Sequence, residues 1–164
     1  MIEEIVRTGE IKVISREGCL TALGVGSCVA LVLYDPGRLV AGMAHIFLPF
    51  SGNGHKSAMA SSFLPAKFAD TAVEALHAAI LKCGASTGGI LAKMAGGANL
   101  FDSFQGQALD VGKLNGEAVK KALSEMGIPV TGATLGGNFG RTVRFYLPSM
   151  RMKIVCGFSR EASI

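Results

Sequence analysis

The chain has 164 residues, 49% hydrophobic and 17% charged, which suits a single compact domain spanning 1–164 and excludes extended disorder. Its formal net charge of +4 rests on scattered side chains (Lys12, Arg38, Lys56, Lys93, Arg151, Lys153) with no basic block among aromatics, so nucleic acid is not an expected partner. No apolar run reaches the roughly 20 residues of a bilayer span, and the acidic start Met1-Ile2-Glu3-Glu4 lacks the basic head of a secretory leader; both point to the cytoplasm.

The first third reads as strands. Ile11 to Ile14 alternates weakly, Cys19 to Leu23 is short and apolar, and Ser27 to Tyr34 is rich in Val and Leu. Asp35-Pro36-Gly37 is a turn, because Pro presets φ and Gly admits φ > 0. Leu39 to Leu48 is then the returning strand of a hairpin. Pro49 to Pro65 reads as a long exposed loop containing His55. From Ala66 to Cys83 the period changes to helical, with Ala69, Ala72, Val73, Leu76, Ala79, Ile80 and Cys83 on one face and Gly84 as the stop. Ile90 to Met94 is a strand, and Leu114 to Met126 a second helix closed by Gly127 and Pro129. Short strands at Val130–Leu135, Arg141–Leu147 and Met152–Cys156 complete an α+β chain with a largely antiparallel sheet.

The segment Gly24-Val25-Gly26-Ser27-Cys28 is the chemically informative one. A dinucleotide-binding glycine loop fails here, because Val29 stands where the third glycine belongs and a β-prone run follows instead of a helix. A nucleophile held at the start of a strand fits better. The glycines leave N–H groups around Gly26, Ser27 and Cys28 free to face a developing oxyanion. A hairpin about residues 35–37 brings positions near 28 opposite positions near 45, so His45 can serve as the base for the Cys28 thiol. On this reading Cys28 is alkylated ahead of Cys19, Cys83 and Cys156, with a pKa below that of a free thiol. The four cysteines contain no CxxC pair and, with three histidines, no zinc ligand set. No metal or cofactor is expected.

The stretches Leu23-Gly-Val-Gly-Ser-Cys28-Val-Ala30 and Gly42-Met-Ala-His45-Ile-Phe-Leu-Pro49 resemble the chemoreceptor glutamine deamidase family, CheD. Lys67-Phe-Ala-Asp70, Lys93-Met-Ala-Gly-Gly-Ala98, Val111-Gly112 with Asn115, and Gly136-Gly137 with Gly140-Arg141 agree in order and spacing. The resemblance implies an enzyme that deamidates specific glutamines to glutamate on methyl-accepting chemotaxis receptors through a Cys28–His45 thioester mechanism. It also implies a β-sandwich flanked by helices in α/β/β/α layers, kinship with bacterial toxin deamidases, and in some members a CheC-type phosphatase partner. The alternative is a non-catalytic module that regulates such a phosphatase.

One departure favours that alternative. A Thr that orients the His in the family pattern is replaced by Ala22, with Thr21 one residue earlier on the opposite strand face; a backbone carbonyl is the other candidate orienter. Asp110 stands where the family pattern has Asn. Thr21, Lys67 and Asp70 are carried as supporting site residues. His77 reads as a helix-boundary residue, and Arg141 as an ion-pair partner or a receptor contact.

Overall fold

The structure, a computed structural model, describes residues 1–52, 64–100, 109–157 and 160–164. His55 and most of the loop that holds it lie outside these residues. In chain order the elements are β1 (Glu3–Ile5), β2 (Ile11–Ser15), β3 (Gly18–Val25), β4 (Val29–Asp35), β5 (Val40–Ile46), α1 (Ala69–Lys82), β6 (Leu91–Gly96), α2 (Val111–Glu125), β7 (Val130–Leu135), β8 (Arg141–Leu147), β9 (Arg151–Cys156) and β10 (Arg160–Ser163). They form two five-stranded sheets, ordered β1-β3-β8-β9-β10 and β2-β5-β4-β6-β7. Only β1–β3 and β6–β7 pair parallel.

Burial explains the layering. Every residue of β4 and β5 is buried, as a strand covered on both faces requires. Val29, Leu31 and Leu33 pack with Leu76 and Ile80 of α1 and Val119 and Leu123 of α2. The alternate residues Ala30, Val32 and Tyr34 pack with Leu20, Val143 and Phe145 of the other sheet. Each fully buried Leu or Val in these clusters contributes about 1.5–3 kcal/mol. By contrast β8 alternates, with Val143 and Phe145 inward and Arg144 and Tyr146 on an open outer face. Both helices therefore lie on one side of the β4-containing sheet, and the described residues fill the helix, sheet and sheet layers.

The turn at residues 35–37 forms as its residues demand. Asp35 Oδ1 accepts from the N–H groups of Gly37 (2.9 Å) and Arg38 (3.1 Å), and Oδ2 from that of Ser86 (2.7 Å). It fixes the hairpin register, which sets Ala30 opposite His45 and Val29 opposite Ile46. Both helix starts differ from expectation. α1 begins at Ala69 instead of Ala66, because the preceding stretch bridges to β5's exit through Leu48 and Phe68. α2 begins at Val111 instead of Leu114, because Asp110 caps it by accepting from the Lys113 N–H at 2.9 Å.

Candidate functional site

Cys28 sits where the glycine turn enters β4, and it keeps 9% of its surface exposed. Position 28 is two residues before Ala30, the partner of His45, so the two side chains share a face as diagonal cross-strand neighbours. Strand geometry puts such Cα atoms roughly 7–8 Å apart. That face is the inter-sheet one, where Cys28, Ala30 and Met43 pack.

The peptide around the thiol is held in an uneven way. Three successive carbonyls are occupied: Gly26 accepts from the Ala98 N–H (2.9 Å), Ser27 from Asn115 Nδ2 (2.8 Å) and Cys28 from the Gly97 N–H (2.7 Å). The N–H groups of Gly26, Ser27 and Cys28 donate to no backbone carbonyl among the described residues. Donors without a backbone partner among the described residues, set beside a thiol, are the arrangement an oxyanion needs.

The close approach that makes these bonds depends on missing side chains. A β-carbon on Gly112, at the start of α2, would stand 2.1 Å from the Ala98 carbonyl oxygen and 2.6 Å from Gly97. Farther out, Gly136 donates its N–H to the Gly96 carbonyl, and the Gly137 carbonyl accepts from the Asn99 N–H. The carbonyls of Thr134 and Gly136 in turn accept from the buried guanidinium of Arg141. Arg141 thus braces the backbone that braces Cys28.

His45 is 1% exposed. Its Nδ1 lies 3.1 Å from the carbonyl oxygen of Val6. A carbonyl can only accept, so Nδ1 carries the proton and the neutral imidazole presents a bare Nε2. Nε2 has no hydrogen-bond partner among the described residues. The orienting group is therefore a backbone atom, and Ala22, fully buried between the sheets, is not needed for it. The main chain of His45 is fixed as well, its N–H donating to Glu10 and its carbonyl accepting from Gly9.

Burial decides the charge state. It lowers the His45 pKa below the usual imidazole value, opposed less strongly by the Val6 carbonyl. It raises the Cys28 thiol above its ordinary value, opposed by that residue's own backbone N–H. The resting pair is thus neutral thiol and neutral imidazole, which corrects the expectation of a depressed thiol pKa.

The supporting candidates fall elsewhere. Thr21 points to the outer face of its sheet, where Oγ1 donates to Glu3 Oε1 at 2.7 Å and lies 3.5 Å from Cys19 Sγ. Asp70 accepts from the N–H and hydroxyl of Ser51. The Lys67 ammonium lies 5.4 Å from the Phe68 ring centroid, while its carbonyl accepts from Leu48. These two secure the segment leaving β5 and do not meet Cys28. His77 is half-buried on α1, as its boundary position suggests.

A cleft of about 370 Å³ opens at the residues flanking the two strands and the start of α2, lined by Ser27, Phe47, Ala98, Asn99, Leu109 and Gly112 among others, with neither Cys28 nor His45 in its lining. A larger one of about 450 Å³ lies on the outer sheet face among Tyr146, Arg151, Lys153 and Glu161, with neither cysteine nor histidine in its lining. No group of three His, Cys, Asp or Glu able to hold a metal ion occurs among the described residues. Sequence reasoning assigned no role to Asn115 and left the orienting carbonyl unidentified. The signals for Asn115 were its place in the family-like stretch with Val111-Gly112 and an amide-bearing residue early in a helix, the second a weak one.

Residues 47–155 match the family model for CheD chemotactic sensory transduction. The chain is 40% identical over 157 residues to a probable chemoreceptor glutamine deamidase CheD of Caldanaerobacter subterraneus, covering 94% of each chain. It is 40% identical over 152 residues to the corresponding protein of Archaeoglobus fulgidus, covering 93% and 92%. It is 39% identical over 156 residues to the chemoreceptor glutamine deamidase CheD of Halalkalibacterium halodurans, covering 93% and 94%.

Proposed function

Given that the chain belongs to the CheD chemotactic sensory transduction family, we propose that it converts glutamine side chains of chemotaxis receptors to glutamate, with Cys28 as nucleophile and His45 as general base and acid. The observation that carries this reading is the buried, carbonyl-oriented imidazole with a bare Nε2 on the face of the one cysteine that adjoins free N–H donors.

Nε2 takes the thiol proton as Sγ bonds to the carboxamide carbon, and the oxyanion forms against the N–H groups of Gly26 to Cys28. The intermediate collapses with cleavage of the C–N bond, His45 giving its proton to the departing ammonia. Water then attacks the thioester, His45 removing its proton, and glutamate leaves as the thiolate recovers the proton. A neutral resting pair suits this sequence, because a low-dielectric site disfavours standing charge.

No helix among the described residues is long and apolar enough to cross a membrane. We place the chain in the cytoplasm, beside receptor cytoplasmic regions, with a CheC-type phosphatase as a further partner, testable by co-elution. The deamidase itself is tested by peptide mass spectrometry of a receptor cytoplasmic fragment incubated with wild type or Cys28→Ala. Amide-to-acid mass gains at defined glutamines with wild type alone are expected. Gains that persist with Cys28→Ala refute the nucleophile. No gain with wild type, while receptor is still retained, replaces catalysis by binding.

A further inference from the structure

We propose that Asn115 is a positioning residue for amide hydrolysis: its side-chain amide fixes the Ser27–Cys28 peptide so that the Cys28 N–H faces the oxyanion formed on the substrate. The proposal rests on the reading of Cys28 as nucleophile.

Asn115 is fully buried, one turn into α2. Its Nδ2 donates to two carbonyls that flank different strands, Ser27 before β4 at 2.8 Å and Phe47 after β5 at 3.0 Å. One residue precedes Cys28 and the other follows His45 by two, so a single amide spans the ends of both catalytic strands. A trans peptide holds its C=O and N–H on opposite sides. Drawing the Ser27 oxygen toward α2 therefore turns the Cys28 N–H away from α2, to the side where the thiol lies.

The residue is costly as packing alone. Its Oδ1 is buried without a partner among the described residues, a penalty of the kind that natural cores seldom tolerate without a reason. Asn is also a poor helix former, since its side chain competes for backbone hydrogen bonds. Here it spends both amide hydrogens on the two strands that carry the reacting groups.

The test separates acyl transfer from alkylation. Attack on a carboxamide develops an oxyanion; displacement at the saturated carbon of iodoacetamide does not. With Asn115→Ala in the full chain, kcat on a receptor fragment is expected to fall about 10²-fold, the scale of losing one oxyanion donor. KM and the rate of Cys28 alkylation stay within a few-fold of wild type. The isosteric Asn115→Asp carries the test if the alanine variant folds poorly. Its carboxyl, facing two carbonyl oxygens, is held protonated and keeps one donor. Its kcat relative to wild type therefore falls as pH rises.

An unchanged kcat overturns the proposal. So does a parallel loss of kcat and alkylation rate, which would mark plain structural damage. Deamidation that survives in Cys28→Ala overturns the nucleophile reading and Asn115's role with it. An inactive Cys28→Ala beside a fully active Asn115→Ala overturns the role of Asn115 alone.

Discussion

At Gly96 a β-carbon would stand 2.1 Å from the Cys28 carbonyl oxygen and 2.9 Å from Val25 Cγ1, on a backbone with φ of +130°. Ordinary contact begins near 3.4 Å, so Gly96→Ala must move the Cys28 backbone or the end of β6 by about an ångström. Overpacking and backbone strain together cost about 2–4 kcal/mol. For a chain of this length that lowers Tm by about 4–16 °C. A displacement of that size at a nucleophile reduces kcat by about 10²-fold. Gly84→Ala is the control: φ there is +101° and nothing lies within 4 Å of the added carbon. It carries strain without a clash, about 1 kcal/mol and no change in kcat. Differential scanning fluorimetry and the receptor-fragment assay read both quantities. Equal Tm shifts for the two variants, with kcat intact in Gly96→Ala, would refute the idea that this contact holds Cys28 in place.

Other outcomes follow from the same structure. His45 has a lowered folded pKa, so below the ordinary imidazole value of about 6.5 the unfolded chain binds a proton that the folded chain refuses. Stability is complete above that value and is lost as pH falls from it toward the folded pKa; urea titrations should show this acid loss blunted in His45→Gln. Arg141→Met, which removes the donors to Thr134 and Gly136, should cost about 2–4 kcal/mol in chemical denaturation and lower kcat through the loosened Gly96–Asn99 segment. Thr21→Val loses its bond to Glu3, which should cost about 1 kcal/mol with kcat unchanged; a large kcat loss would return Thr21 to the site.

The hairpin and the cysteine–histidine pairing were legible because they are local: a turn of defined chemistry fixes the register, and period 2 fixes the faces. Strands β7 and β8 were equally plain, bounded by glycines and carrying β-branched residues. Strands β1 and β10 were not, since Glu3–Ile5 and Arg160–Ser163 carry no buried apolar pattern. They exist because the edges of β3 and β9 offer unpaired backbone. The start of α2 was misplaced because Gly112 is a poor helix former; the Asp110 cap and the contact with residues 97 and 98 override it. Around the site, a reader of sequence could see the side chains proposed to react but not the peptide groups around them, which are chemically identical at every position.

That last point bears most on Val6, whose main-chain oxygen orients His45. An alanine scan passes over such a contact, because truncating the side chain leaves the oxygen where it was. Comparison of relatives is blind to it for the same reason: position 6 need only remain apolar. The contact is exposed instead to insertions and deletions. Losing or gaining one residue between Val6 and Ile11 would shift which carbonyl faces the ring, while every catalytic letter stayed in place. A relative with an intact cysteine and histidine but an altered spacing there is the one in which to look for a silent enzyme.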